Sequence, residues 1–220
     1  MDRLAFWSDF IRKNEIKTMA EIGVWRGDFA QHMLRECPSL EKYYLIDPWQ
    51  MLDDWNKPLN ADNLEEAFQE TQTKLEPYSH KTVFLRGRTT EVAHKLGELD
   101  FAYIDGDHTL RGIVLDMMQV WPKIRDGRWL GGDDFSPSIW QHAPDYEPSM
   151  VFPFAVHFAE GVNCPITAIG GCQFVIEKVE GFRFDDQTGL YPTTEINPQI
   201  QSMPKSGGLV KRVARKLLSN

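Results

Sequence analysis

Residues 99–135 of the chain read LDFAYIDGDHTLRGIVLDMMQVWPKIRDGRWLGGDDF, with two apolar runs on either side of an amphipathic segment. The runs at 100–106 and 128–135 have the length and composition of buried strands, and the segment between them has helical spacing. Two strands joined by a helix form a βαβ unit, in which the strands lie parallel in one sheet. This stretch therefore predicts an α/β fold.

The residues before this unit continue the alternation of strands and helices. A helix is predicted over residues 2–14, and further strands are predicted at 18–23, 43–47 and 82–87, each followed by helical sequence. We expect the helix before the third strand to begin with Asn63 as its N-cap. The near-continuous apolar strands are typical of a parallel sheet that is covered on both faces.

The residues after this unit are less regular. An irregular segment rich in proline and aromatic residues, 136–150, is followed by a predicted helix at 151–162 and an antiparallel hairpin at 165–179. From about residue 181 the chain becomes rich in proline and glycine. We therefore predict one compact domain over 1–180 and an extension over 181–220 that ends in a short basic amphipathic helix.

The charge of the chain bears on its partners. Its 220 residues include 24 Lys and Arg against 32 Asp and Glu, a formal net charge of −8. Because phosphate binding needs a basic face, nucleic acid is not expected as the main partner. The basic terminal helix could lie on an anionic membrane surface, dock on a partner or a second copy, or simply be a frayed end.

The cysteine content and the N-terminal sequence bear on the compartment. The three cysteines, Cys37, Cys164 and Cys172, include no CxxC pair, which indicates a reducing compartment and gives no zinc motif. No apolar stretch has the length of a membrane span, and the N-terminus does not resemble a signal peptide. We therefore expect a cytoplasmic protein.

A glycine-bounded turn follows the first predicted strand. Residues 21–27 read EIGVWRG, with Glu21 just before the turn and Gly23 and Gly27 within it. In open parallel sheets, ligands bind outside the carboxyl ends of the strands, and glycine lets the backbone approach them. The spacing differs from the Gly-x-Gly-x-x-Gly of dinucleotide sites. Asp47, which ends the second strand, can accept hydrogen bonds from both hydroxyls of a ribose, so we favour a nucleoside site over an ordinary turn.

Acidic residues follow two consecutive predicted strands. Asp105, Asp107 and His108 close the fourth strand, and Asp133 and Asp134 close the fifth. If these strands are neighbours, their ends lie about 4.8 Å apart. Like charges this close repel, so protons or a cation must neutralise them. A divalent ion with oxygen ligands, Mg²⁺ or Mn²⁺, would suit such a site and could lower the pKa of a substrate hydroxyl.

Four motifs in order give the chain a family resemblance. EIGVWRG at 21–27, Asp47, LDFAYIDGDH at 99–108 and WLGGDDF at 129–135 resemble the motifs of class I S-adenosylmethionine-dependent methyltransferases. Among these, the small metal-dependent O-methyltransferases that act on sugars of macrolides and other natural products are the most similar. The resemblance implies a Rossmann-like, seven-stranded, mostly parallel sheet with strand order 3-2-1-4-5-7-6, an antiparallel last strand and helices on both faces.

The resemblance also implies roles for the site residues. The cofactor would be held by Glu21, Gly23, Gly27, Asp47, Thr89 and Asp105. The divalent ion would be bound by Asp105, Asp133 and Asp134. Asp107 stands where the proposed general base of these enzymes stands, but His108 follows it directly, so either residue could take the proton. Thr89 could also serve only as the cap of the helix that follows it.

The function implied by the resemblance is methyl transfer from S-adenosylmethionine to a hydroxyl of a sugar or similar small molecule. Fold does not fix function, so a metal-using hydroxylase or another sugar-modifying enzyme on the same scaffold stays open. A third possibility is a non-catalytic scaffold that binds the cofactor within a polysaccharide assembly. A homo-oligomer is compatible with all three.

Overall fold

Helices and strands alternate along the residues that the computed structural model describes, which are 2–52, 61–141, 148–191 and 198–199. The helices are α1 (Arg3–Lys13), α2 (Asp28–Glu36), α3 (Ala61–Leu75), α4 (Thr89–Val92), α5 (Leu110–Val120) and α6 (Val151–Gly161). The strands are β1 (Thr18–Ile22), β2 (Lys42–Asp47), β3 (Thr82–Arg86), β4 (Leu99–Ile104), β5 (Ile124–Gly132), β6 (Ile166–Ile169), β7 (Gln173–Glu177) and β8 (Phe184–Asp186). Short 3-10 turns extend α3, α4 and α5.

The strands form one sheet with the order β3-β2-β1-β4-β5-β7-β6-β8. Strands β1 to β5 pair in parallel, and β7 pairs antiparallel with both β5 and β6. The predicted order and the predicted antiparallel hairpin are confirmed. Ile104 of β4 lies opposite Gly132 of β5, so the two acidic segments begin side by side.

Apolar side chains cover both faces of the sheet. Every residue of β4 is buried, as expected for a central parallel strand. One core cluster packs the sheet against α1, α2 and α3, and the other packs it against α4, α5 and α6. The predicted arrangement of helices on both faces is therefore confirmed. Among the described residues, no helix has both the length and the apolar character needed to cross a bilayer.

Helix α1 begins with a capped first turn and packs on the sheet through a buried tryptophan. Its N-cap Asp2 accepts hydrogen bonds from the backbone N–H groups of Leu4 and Ala5, which satisfies two otherwise unpaired donors. Trp7 is fully buried and stacks on Phe101, with 5.1 Å between the ring centroids. A Cβ atom on Gly131 would lie 2.5 Å from the Trp7 ring, so the indole packs directly on the backbone of β5. This packing fixes the start of α1 near the carboxyl ends of β4 and β5.

The start of α3 and both ends of β5 differ from the predictions. Helix α3 begins at Ala61, so Asn63 lies within the helix and is not its N-cap. Strand β5 runs over Ile124–Gly132 and not over 128–135, because Ile124 is buried opposite Leu99 and because Asp134 has a left-handed φ of 59°.

The sheet also continues beyond residue 180, where we expected the compact domain to end. Strand β8 pairs in parallel with β6, which covers an edge that β6 would otherwise expose. Tyr191 is buried against Phe135 and donates a hydrogen bond to its carbonyl oxygen. The predicted basic helix near the end of the chain lies outside the described residues.

Candidate active site

A cavity of about 630 Å³ opens at the carboxyl ends of β1, β2 and β4. Most of the site residues predicted from the sequence line it, namely Glu21, Gly23, Asp47, Thr89, Asp105, Asp107, His108 and Asp134. Gly27 and Asp133 are not among the lining residues. Strand ends of an open parallel sheet are the usual place for a ligand, so we treat this cavity as the candidate active site and refer to it as the cleft.

Gly23 lies where two strand ends come close together. Its φ is +86°, and a Cβ atom there would lie 2.2 Å from the carbonyl oxygen of Asp105. Its N–H donates to the carbonyl oxygen of Ile46 at 2.9 Å, which ties the turn to β2 as well. Only glycine fits this conformation and this spacing, so the turn leaves bare backbone facing the cleft.

Glycine is needed at position 27 for a different structural reason. It is the N-cap of α2 with a left-handed φ of 74°. A Cβ atom there would lie 2.7 Å from Cγ2 of Thr71, on α3. Gly27 therefore allows α2 and α3 to pack together, and any contact with a cofactor would have to come from its neighbours in the turn.

Asp47 is nearly fully buried and organises the turns on both sides of it. Its Oδ2 accepts hydrogen bonds from the backbone N–H groups of Val24 and Trp25, both at 3.0 Å. Its Oδ1 accepts one from the N–H of Trp49 at 2.7 Å. Trp25 and Trp49 both have positive φ angles, which these bonds help to hold. The ribose contact remains a prediction for this residue, next to a structural role that the sequence did not indicate.

Glu21 is buried at the base of the cleft. Its carboxyl group accepts a hydrogen bond from the hydroxyl of Tyr43 at 2.8 Å. Burial raises the pKa of Glu21 well above its usual range, although the bond from Tyr43 opposes this shift. Burial therefore favours the neutral form of Glu21 over the carboxylate.

Thr89 is buried on the opposite side of the cleft, where it contacts a carboxylate that our sequence analysis did not single out. Its hydroxyl donates a hydrogen bond to Asp116 of α5. Burial raises the pKa of Asp116 to about 7, and the charge of Asp107 adds to this shift. Asp116 lines the cleft as well. The only sequence signal for Asp116 was that it is the single acidic residue of this amphipathic helix.

The raised pKa of Asp116 predicts a pH-dependent stability. Between about pH 4 and 7 the folded protein holds a proton on Asp116 that the unfolded chain releases, so the free energy of unfolding falls as the pH rises. Asp116→Asn removes this term and is expected to be more stable than the unmodified protein at pH 8, but not at pH 4. Urea unfolding at both pH values measures the difference, with the exposed Asp126→Asn as control. Equal stabilisation at both pH values would contradict the assignment.

Asp105 and Asp133 share one cation, Arg3 of α1. Nη1 of Arg3 donates to Oδ2 of Asp105 at 2.9 Å and also to Oδ2 of Asp133. Burial raises the pKa of Asp105 to about 7, with repulsion from Asp133 adding to the shift and the charge of Arg3 opposing it. The sequence does not indicate this contact, because Arg3 is separated from Asp105 by 102 positions along the chain.

Gln173 of β7 fixes the position of Asp133. Its Nε2 donates to Oδ1 of Asp133 at 2.6 Å and to the carbonyl oxygen of Gly171 at 2.9 Å. Its Oε1 accepts from Nε1 of Trp7 at 2.8 Å and from the hydroxyl of Tyr103 at 3.1 Å. Two donated and two accepted bonds satisfy the whole amide, so Gln173 is locked in one orientation. The carboxylate of Asp133 is thereby held where it accepts a hydrogen bond from Arg3.

Asp134 is directed toward His108 and not toward Asp133. Its Oδ2 lies 3.5 Å from Nδ1 of His108, and its Oδ1 accepts a hydrogen bond from Nε2 of Gln141 at 2.7 Å. His108 is buried and lines the cleft. A carboxylate beside one imidazole nitrogen orients the ring and stabilises its protonated form, so this pair can accept a proton.

Asp107, the alternative base, is used differently. Its Oδ1 accepts a hydrogen bond from the N–H of Thr109, the N-cap of α5. A Cβ atom on Gly112 would lie 2.3 Å from its carboxyl carbon, so Asp107 packs against the first turn of α5. Asp107 lines the cleft, but its carboxylate also holds the start of a helix.

The three predicted metal ligands do not fit a divalent ion in this arrangement. Mg²⁺ binds oxygen ligands at about 2.0–2.1 Å, and an ion shared by Asp105 and Asp133 would compete with the guanidinium that already contacts both carboxylates. Asp134 is turned toward His108 and Gln141. Within the described part of the chain, no group of three or more His, Cys, Asp or Glu side chains is arranged to hold a metal ion.

Solved structures of methyltransferases share the fold. PaMTH1 from Podospora anserina, crystallised with SAH, is 12% identical over 82% of this chain and 80% of that chain, with a TM-score of 0.60. The O-methyltransferase TomG from Streptomyces achromogenes is involved in tomaymycin synthesis and was crystallised with SAM. It is 14% identical over 81% of this chain and 80% of that chain, with a TM-score of 0.59. An O-methyltransferase from Bacillus cereus in complex with SAH is 14% identical over 81% of this chain and 80% of that chain, with a TM-score of 0.57.

The fold is therefore that of the class I methyltransferases. Residues 20–135 match the family described as Methyltransferase domain, which is more than half of the chain. The chain belongs to this family, and the predicted enzyme class, methyltransferase, is confirmed. The match includes the glycine-bounded turn and both acidic strand ends. No curated protein matches the sequence.

Proposed function

We propose that this methyltransferase transfers the methyl group of S-adenosylmethionine to a hydroxyl oxygen of a saccharide or a similar polar acceptor. The observation that carries the proposal is the His108–Asp134 pair at the wall of the cleft that also contains Gly23 and Asp47. Proteins of the same fold that bind SAM or SAH support the choice of cofactor.

The cleft has the features that this cofactor needs. The bare backbone at Gly23 would lie against the cofactor, and Asp47 at the end of β2 would face its ribose. Thr89 and Asp116, on the far side, offer a hydroxyl and a carboxyl group to its base. When bound, the cofactor supplies an electrophilic methyl group on a sulfonium. The chain's own part is to hold the acceptor oxygen in line with that group and to remove its proton.

His108 is the base in this proposal. Because Nδ1 faces Asp134, the proton of the acceptor hydroxyl would be taken at Nε2 as the oxygen–carbon bond forms and the carbon–sulfur bond breaks. Asp134 would stabilise the imidazolium that results. Divalent-ion assistance, which the resemblance implies, is not part of the proposal because the guanidinium of Arg3 already contacts both Asp105 and Asp133.

The segment that follows β5 supports a polar acceptor. Gln141 contacts Asp134 directly, and Trp140 lies beside it with its indole N–H bonded to the carbonyl oxygen of Gln199. An amide group beside the proposed His108–Asp134 pair suits an acceptor that carries several hydroxyls. We also retain the cytoplasmic location in the proposal, because Cys37, Cys164 and Cys172 are all free thiols.

A transfer assay with methyl-labelled S-adenosylmethionine tests the acceptor class. The full chain is incubated with a panel of sugar nucleotides and glycosides, together with catechols, RNA and protein as competing acceptors. We expect label in a saccharide, and we expect it to be lost when the accepting hydroxyl is replaced by hydrogen. Label on a nitrogen, on RNA or on protein would contradict the proposal.

A further inference from the structure

We propose that Arg3 takes the place of a divalent cation in this active site and acts as a positioning residue through Asp105 and Asp133. The inference rests on the proposed function only in placing methyl transfer at this end of the cleft. Nη1 of Arg3 is within hydrogen-bond distance of Oδ2 of both carboxylates. One fixed positive charge therefore lies between two side chains that the resemblance assigned to a metal ion.

Buried side chains position the guanidinium of Arg3 and the carboxylate of Asp133. Its guanidinium lies 5.8 Å from the ring centroid of Phe29, which is buried on α2, so an aromatic face supports the cation from another side. Its helix is fixed one turn later by Trp7, which is fully buried. The same Trp7 bonds to Gln173, and Gln173 bonds to Asp133. Cation and carboxylate are thus held by one connected set of contacts.

A guanidinium and a metal ion neutralise carboxylates in different ways. Arginine stays charged at all accessible pH values and offers several N–H donors, but it has no open coordination position for a substrate oxygen. Arg3 can therefore favour the ionised form of Asp105 and Asp133 and hold both in place, without binding an alkoxide in the manner of a metal. This chain should accordingly need no divalent ion, and proton removal falls to His108 alone.

Metal binding by a charge-removal variant tests the inference. Arg3→Met leaves two carboxylates without their cation and is expected to bind Mn²⁺ about tenfold more tightly or better than the unmodified chain, as expected for the loss of one nearby positive charge. Calorimetry on the full chain, with no cofactor or acceptor, measures this change. Adding Asp133→Asn to the variant should abolish the gained binding.

Arg12→Met is the matched control. Arg12 lies on the same helix and also pairs with an aspartate, Asp9, but on the exposed face away from the cleft. We expect it to bind Mn²⁺ no better than the unmodified chain. Arg3→Lys keeps the charge and should likewise gain no ion binding. A gain that appears in Arg3→Met and not in Arg3→Lys would follow the charge at this position, which a merely structural role for Arg3 does not predict.

Two outcomes would overturn the inference. The first is tight, one-to-one Mn²⁺ binding by the unmodified chain together with loss of methyl transfer in chelator, which would mean that an ion displaces Arg3. The second is a folded Arg3→Met variant that gains no ion binding. If Arg3→Met does not fold, Mn²⁺ binding by the unmodified chain and by Arg3→Lys still tests the inference. The binding measurements need no acceptor, so they remain decisive if the proposed reaction is wrong.

Discussion

Replacement of His108 by asparagine is expected to lower the rate of methyl transfer by about 10²–10⁴-fold, the usual contribution of a positioned general base. Asparagine retains a polar side chain of smaller size but has no nitrogen that accepts a proton near neutral pH. Binding of S-adenosylhomocysteine should change little, because the cofactor contacts that we propose come from the Gly23 turn and Asp47. Single-turnover rates and calorimetry on the same preparation separate these two effects.

His157→Asn is the matched control for this prediction. His157 also faces a carboxylate, that of Glu160, at 3.6 Å, but the pair lies on the surface of α6. Its replacement should leave the rate unchanged. Asp107→Asn distinguishes the two candidate bases, since its amide oxygen can still accept the hydrogen bond from the N–H of Thr109 but the side chain can no longer take a proton. A rate that falls more for Asp107→Asn than for His108→Asn, in folded variants, would move the proton to Asp107.

The second large effect is expected from Gly23→Ala, which should destabilise the fold by about 3 kcal/mol or more. Alanine at this position combines an unfavourable positive φ of 86° with a Cβ atom 2.2 Å from the carbonyl oxygen of Asp105. The contact is with backbone of a neighbouring strand end, so a side-chain rotation cannot relieve it. Urea unfolding measures the loss of stability, and cofactor affinity should fall with it.

Gly127→Ala separates the cost of the positive φ angle from the cost of the steric contact. Gly127 has a similar φ of 72°, but a Cβ atom there would meet nothing within 4 Å. Its replacement should cost only about 1 kcal/mol, the strain of a left-handed conformation. Equal losses for the two variants would show that β1 and β4 do not approach each other as closely as the structure indicates.

The strands and the cleft were predictable because they leave local signals. A parallel strand covered on both faces must be apolar throughout, and β4 is. Asp105 and Asp133 were expected near each other because they end consecutive strands, and β4 and β5 do pair. The order of the strands came from the family resemblance and not from the residues alone.

The contacts that Arg3 and Gln173 make in the candidate site were not predictable in the same way. Arg3 has the sequence context of any charged residue on an amphipathic helix, and Gln173 that of a polar residue at a strand end. Both become functional candidates only through contacts with Asp133, over 130 and 40 positions of the chain. Such contacts have no periodicity that a sequence could show, so the guanidinium that contacts both Asp105 and Asp133 could not be predicted.

The bond network around Gln173 also bears on how the enzyme is made. Trp7 and Gln173 are separated by 166 positions in a chain of 220 residues, so their hydrogen bond closes a long loop. Contacts of such high contact order form late in folding, because loop-closure entropy opposes them until the intervening structure is in place. A nascent chain that ends before β7 lacks the amide that orients Asp133. Competence for catalysis is therefore acquired after the central sheet has assembled, and incomplete translation products are expected to be inactive.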